Sequence, residues 1–210
     1  MPKNARKSTH HIHRHFRRAD PRLAKVLAKM KSIAVPKATS SRHFFAKLCR
    51  DIISQQLAGS AADAIQLRFM GLFGKEGPTP RRVLALAGAR LRGIGMSWAK
   101  ARAVKDLAAK VVGGHVDLAR LPRLDDEAAI AELLKVKGIG RWTAEMFLIF
   151  SLGREDVFSF GDLGLRKGME RVYGKRGVRT QKAMERLALR WAPYRSYASL
   201  ALWHVNDSAK

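Results

Sequence analysis

The 210 residues include a single cysteine, Cys49. One thiol excludes an intrachain disulfide and any iron–sulfur cluster held by four cysteines. Leu48 and Ile52 lie beside it, so a buried, unreactive thiol is expected. Acids are scarce: 17 Asp and Glu stand against 41 Lys and Arg, a formal net charge of +24. That excess carries no information about fold. It points to a polyanionic partner, because each phosphate contact releases counterions. Nucleic acid comes first and an anionic membrane surface second. No apolar run approaches about eighteen residues, so no segment spans a bilayer and no membrane partner is expected. The N-terminus lacks an apolar signal-peptide core, which predicts a cytoplasmic protein. Alternating polar–apolar runs are missing too, leaving nothing from which to build a sheet. What remains is 47% hydrophobic residues, enough for a packed core.

Residues 1–19 carry six Lys or Arg, four His and no acid. This predicts a flexible, basic, His-rich arm, either solvated or touching DNA phosphate. Its HHIHRH run (10–15) also has the composition of a metal binder. Residues 20–210 read as one helical domain of about ten helices, an all-α class. Capping signals set the starts: Asp20-Pro21, Thr79-Pro80, Ser97, Asp125, Gly161-Asp162 and Thr180. Ser60 with Asp63 resembles a capping box. Gly113-Gly114 and Gly174 mark helix ends. Pro193 separates the last two helices.

The Gly138-Ile139-Gly140 turn lies between two such helices, in a hairpin over about 126–150. Its glycines allow positive φ and close approach of another chain. Ile139 would tuck inward. The turn is either an ordinary tight connection or an anion site, with helix amides aimed at a phosphate and Lys135, Lys137 and Arg141 around it. A second Gly-Ile-Gly occurs in LRGIGMSWAKA (91–101), forty-five residues earlier. It signals either two similarly presented helix starts or coincidence. Asp162, on spacing alone, is a helix N-cap. Glu155 and Asp156 read as solvated loop acids. Trp98 and Trp191 read as core.

Four segments carry a likeness to a known family: FFAKLCRDIISQQLAGSAADAI (44–65), LRGIGMSWAKARAVKDLA (91–108), LLKVKGIGRWTAEMFLIFSLGREDVFSFGDLGLRKG (133–168) and RWAPYRSYASLALW (190–203). They resemble the helix-hairpin-helix superfamily of DNA glycosylases, in particular the 3-methyladenine DNA glycosylase II type. The family's usual proline is replaced at Ser159 or Phe160. The residues before 44 do not supply the mixed α/β domain of longer relatives, so a compact form is expected.

The resemblance implies a two-lobed helical fold and a monomer that acts on damaged double-stranded DNA at the bacterial nucleoid. It implies flipping and hydrolytic release of alkylated bases, 3-methyladenine and 7-methylguanine among them, without a cofactor or metal. Asp162 is then the catalytic carboxylate. Trp142, Trp203, Met146 and Phe158 line the base pocket. Trp142 occupies the position where bifunctional relatives carry a lysine, so a monofunctional enzyme leaving an abasic site is implied. Gln56, or else Leu57, wedges into the duplex, and Gln55 is a pocket or structural hydrogen-bonder. Gly138, Ile139, Gly140, Arg141, Lys137 and Thr143 hold phosphate. The alternative is a non-catalytic helix-hairpin-helix DNA-binding protein.

Overall fold

The computed structural model describes residues 10–30, 33–57 and 59–208. Among these residues there are twelve α-helices, three short 3-10 turns and no strand. The helices form two compact units. Unit 1 is discontinuous, Met1–Lys37 with Gly153–Lys210; unit 2 is the continuous stretch Ala38–Leu152. No described helix is long and apolar enough to cross a membrane.

Unit 1 contains α1 (His10–Ala19), α2 (Pro21–Lys29), α10 (Leu163–Tyr173), α11 (Gln181–Leu189) and α12 (Arg195–Asp207). Helix α1 corrects the expectation of a flexible arm over residues 1–19. Ile12 and Phe16 lie one turn apart and both are buried in the core, while Arg14, Arg17 and Arg18 face solvent. Residues 1–9 of that arm lie outside the described residues. His11 and His15, instead of gathering round a metal, pack their rings on Tyr194 at 5.5 and 5.1 Å. Among the described residues no group of three candidate ligands could hold one.

Asp20 joins the two chain stretches of unit 1. It caps α2 through Leu23 N at 3.1 Å. Its other oxygen accepts from Tyr173 Oη at 2.8 Å and Trp191 Nε1 at 2.9 Å. Only 2% of the residue is exposed, so these donors replace the lost water. Helices α10 and α12 pack so closely that a Cβ on Gly168 would collide with the Leu202 backbone.

Unit 2 contains α3 (Phe44–Ser54), α4 (Gly59–Gly71), α5 (Pro80–Ala85), α6 (Gly88–Gly93), α7 (Trp98–Val112), α8 (Asp126–Leu134) and α9 (Arg141–Phe150). Phe44 and Phe147 cross edge-on at 5.3 Å in its core. Cys49 is fully buried, and burial followed by the nearby Asp51 charge pushes its thiol well above the ordinary range. Six expected caps, Asp20, Thr79, Ser97, Asp125, Asp162 and Thr180, each accept from the amide three residues on. Two expectations shift. Helix α4 begins at Gly59, so Ser60 sits inside its first turn and is not the cap. Trp98 is 51% exposed at the start of α7 and is not a core residue, whereas Trp191 is fully buried.

Candidate active site

In unit 1, Asp162 closes the loop that leads into α10. The residue is nearly buried, at 8% exposure. Oδ1 accepts from the Leu165 amide at 2.7 Å, the capping bond of α10. The same oxygen accepts from the Trp203 indole N–H of α12 at 3.1 Å. Gly164 makes room for this arrangement: a Cβ there would lie 3.0 Å from Asp162 Oδ1 and 3.1 Å from Trp203 Cδ1. The N-cap reading and the special-carboxylate reading are therefore compatible. The capping amide, the positive end of α10 and the indole all act on one charged group. Gly164 and Leu165 are contributors that the sequence reading missed. A glycine two residues after a capping aspartate is the faint signal that marks them.

Other unit 1 candidates divide. Trp203 is half-buried, with its polar edge on Asp162. Phe158, assigned to the base pocket by resemblance, lies in the core, 5.0 Å from Phe160 and 5.3 Å from Trp191. Burial of an aromatic ring against two others takes it away from open surface. Glu155 and Asp156 are not free loop acids. Glu155 accepts from Tyr197 Oη at 2.7 Å, and Asp156 takes a forked ion pair from Arg195 at 2.8 and 3.0 Å. The Ser159 hydroxyl, three residues before Asp162, is fully buried with no hydrogen-bond partner.

In unit 2, α8 and α9 form the expected hairpin. Gly138 has φ +85° and exposes its backbone, and a Cβ there would come within 2.8 Å of the Ala103 Cβ of α7. Ile139 is buried, pinning the turn as its flanking glycines suggest. Helix α9 has Gly140 at its N-cap, which supplies no side-chain cap. The earlier Gly-Ile-Gly differs: its second glycine, Gly95, holds the positive φ of +102°, and Ser97 caps α7. The two copies do not present their helices alike.

The side chains around the hairpin are less available than their charge suggests. Arg141 forks onto Glu127, and its Nε donates to Glu145 at 3.0 Å, stapling α8 to α9. The hydrogen bond from Arg141 holds the Glu127 carboxyl below its ordinary value. Thr143 is buried, its hydroxyl accepting from Gln55 Nε2 at 3.2 Å. Gly138, Gly140 and the Lys137 side chain remain exposed. Trp142, 46% exposed, and the half-buried Met146 lie one turn apart on one face of α9.

The turn after α3 is held from two sides. Lys100 Nζ of α7 donates to Ile53 O at 2.8 Å, and Gln55 Nε2 donates to Gly138 O at 2.9 Å. Gln55 is thus a structural tie to the hairpin. Gln56 follows with φ +56°, the one described non-glycine residue with positive φ. Such a conformation costs about 1–2 kcal/mol. It displays Gln56 and the 37%-exposed Leu57 at the tip.

Residues 49–193 match the family model described as HhH-GPD superfamily base excision DNA repair protein. The chain is 35% identical over 158 residues to the YfjP protein of Bacillus subtilis, covering 72% of this chain and 55% of that protein, so it spans about half of that relative's length. A crystal structure of a DNA-3-methyladenine glycosidase from Bacillus halodurans is similar with a TM-score of 0.81 at 32% identity. It covers 93% of this chain and 88% of its own. The Schizosaccharomyces pombe 3-methyladenine DNA glycosylase, solved in complex with abasic DNA, gives 0.77 at 30% identity and covers 91% and 94%.

Proposed function

Since the chain belongs to the HhH-GPD superfamily of base excision DNA repair proteins, we propose that it is a monofunctional DNA glycosylase releasing alkylated bases such as 3-methyladenine and 7-methylguanine from damaged duplex DNA. The observation that carries this reading is the Asp162 carboxylate, nearly dry and fixed by two N–H donors on one oxygen. A base within a duplex must first swing out. As the C1′–N bond breaks, the base leaves with the electron pair and positive charge builds on the sugar. Asp162 lies opposite that charge, in a low-dielectric setting where the attraction is strongest. Water then adds at C1′, with Asp162 orienting it or taking its proton. The product is an abasic site, the DNA form bound in the S. pombe relative's structure.

The backbone of Gly138 and Gly140 and the start of α9 hold a phosphate, with Lys137 beside them. Arg141 and Thr143 serve the hairpin's own geometry. Trp142 offers an exposed ring on which a base, cationic when alkylated, can stack. Trp142 also stands where a lyase would need a lysine. Gln56, or else Leu57, fills the gap left in the duplex.

Asp162→Asn tests the reading. Single-turnover excision from a 3-methyladenine or 7-methylguanine duplex should fall by at least about a hundredfold while duplex affinity is kept. Unchanged excision would remove Asp162 from the chemistry. An absence of any excision by the unaltered protein, with duplex binding intact, would favour the non-catalytic DNA-binding alternative.

A further inference from the structure

Unit 1 concentrates cations away from Asp162. Residues 10–30 and residues 175–190 hold six Lys or Arg each, against one acid in each stretch. One of those two acids, Asp20, is buried. The stretches meet at a cleft of about 310 Å³, lined by Arg22 of α2, Tyr173 at the end of α10, Arg186 and Leu187 of α11, and Arg190 at that helix's C-terminal cap. Arg82, Arg141 and Arg195 each meet a carboxylate. Among the described residues, none of Arg22, Arg186 and Arg190 does. Tyr173, in the lining, donates its hydroxyl to the buried Asp20. Three guanidinium groups that form no ion pair among the described residues thus gather beside the apolar wall of Leu187. Planar, multiply donating guanidinium groups in such a setting match phosphate oxygens.

We propose that this cleft is a second phosphate-binding site, engaging the DNA backbone away from the lesion. The proposal rests on DNA being the substrate, as above. Asp162 and Tyr173 stand at opposite ends of α10, roughly 16 Å apart at 1.5 Å per residue. That separation corresponds to about five base pairs of duplex, so the cleft is no part of the base pocket and reads no sequence. Its contribution is electrostatic and lengthens the footprint.

The test uses an undamaged duplex of about 25 base pairs, whose binding needs no chemistry. Affinity is measured over a salt series for the unaltered protein, for Arg22→Gln/Arg186→Gln/Arg190→Gln, and for a charge-matched control in unit 2, Lys75→Gln/Arg81→Gln/Arg123→Gln. The slope of log affinity against log salt should shrink by about 1–2 in the cleft variant, at about 0.9 per phosphate contact, and by less in the control. An unchanged slope, or an equal change in the control, overturns the proposal. So does inorganic phosphate occupying the cleft while the slope stays the same. Arg22 and Arg190 flank the buried Asp20–Tyr173 pair, so Arg186→Gln alone, expected to remove part of the slope, keeps the test valid if the triple variant melts early. Failure here leaves the Asp162→Asn result untouched, so the two conclusions fall separately.

Discussion

The Oδ1 atom of Asp162 serves an amide and an indole at once, so losing either donor alters the aim of the carboxylate and not its charge. Trp203→Phe keeps an aromatic ring and removes the N–H. Single-turnover excision should fall about tenfold, the worth of one charged hydrogen bond, with duplex affinity within about twofold. Equal rates for the two proteins would reduce Trp203 to packing. A second residue-scale effect lies on α3, where burial pushes the Asp51 carboxyl up to about 6, against the opposing pull of Lys47 and Arg50. A raised carboxyl binds its proton more tightly folded than unfolded. Its stabilising contribution is therefore full below about pH 4 and is lost as pH rises through 6. Asp51→Asn should flatten that part of the curve and raise stability at pH 7 by about 1–3 kcal/mol, read from urea melts across pH 4–8. The capping role of Asp162 was legible because a cap is a local event. The Trp203 bond was not, since it joins residues forty-one apart through a helix crossing. The Arg141 ion pairs show the same limit: Glu145 lies one turn away in sequence, but Glu127 reaches it only once the hairpin is folded.

At the scale of the element, starts and stops were the most readable part of the chain. Side-chain caps and terminal glycines act on their own neighbours, and six expected caps make their bonds. Two helices escaped. In α1 the basic residues masked the Ile12–Phe16 stripe, and α6 has only six residues with glycine at either end. The hairpin gives the sharpest element-level test. Gly138→Ala meets both an unfavourable φ and the Ala103 methyl. It should cost about 2–3 kcal/mol and weaken duplex binding. Adding Ala103→Gly relieves the contact but not the backbone, so stability should recover only in part. Full recovery in a denaturant melt would show that φ there is unimportant.

Across the whole molecule, the net charge of +24 pointed to a polyanion without saying where it would sit. Folding places Arg22 beside Arg186 and Arg190, more than 150 positions distant, a juxtaposition no local pattern records. A two-lobed fold was expected from the resemblance, but the border between the units was hidden. Sequence continuity suggested one domain from residue 20 onward, whereas unit 1 takes in both chain stretches flanking unit 2. Pro36 and Gly153 stand beside the borders, but prolines and glycines also occur within each unit, so they do not single out the division.

That border sets an order of events during synthesis. Unit 2 is one uninterrupted stretch and can close as soon as its last residue clears the ribosome, as domains generally fold. Helices α1 and α2 are made before unit 2 but find their partners only after it. Their Ile12, Phe16 and Leu23 stay uncovered, and Asp20 lacks two of its three donors, until Tyr173 and Trp191 have been translated. The carboxylate at position 162 gains its indole donor only when α12, bearing Trp203, has packed against α10.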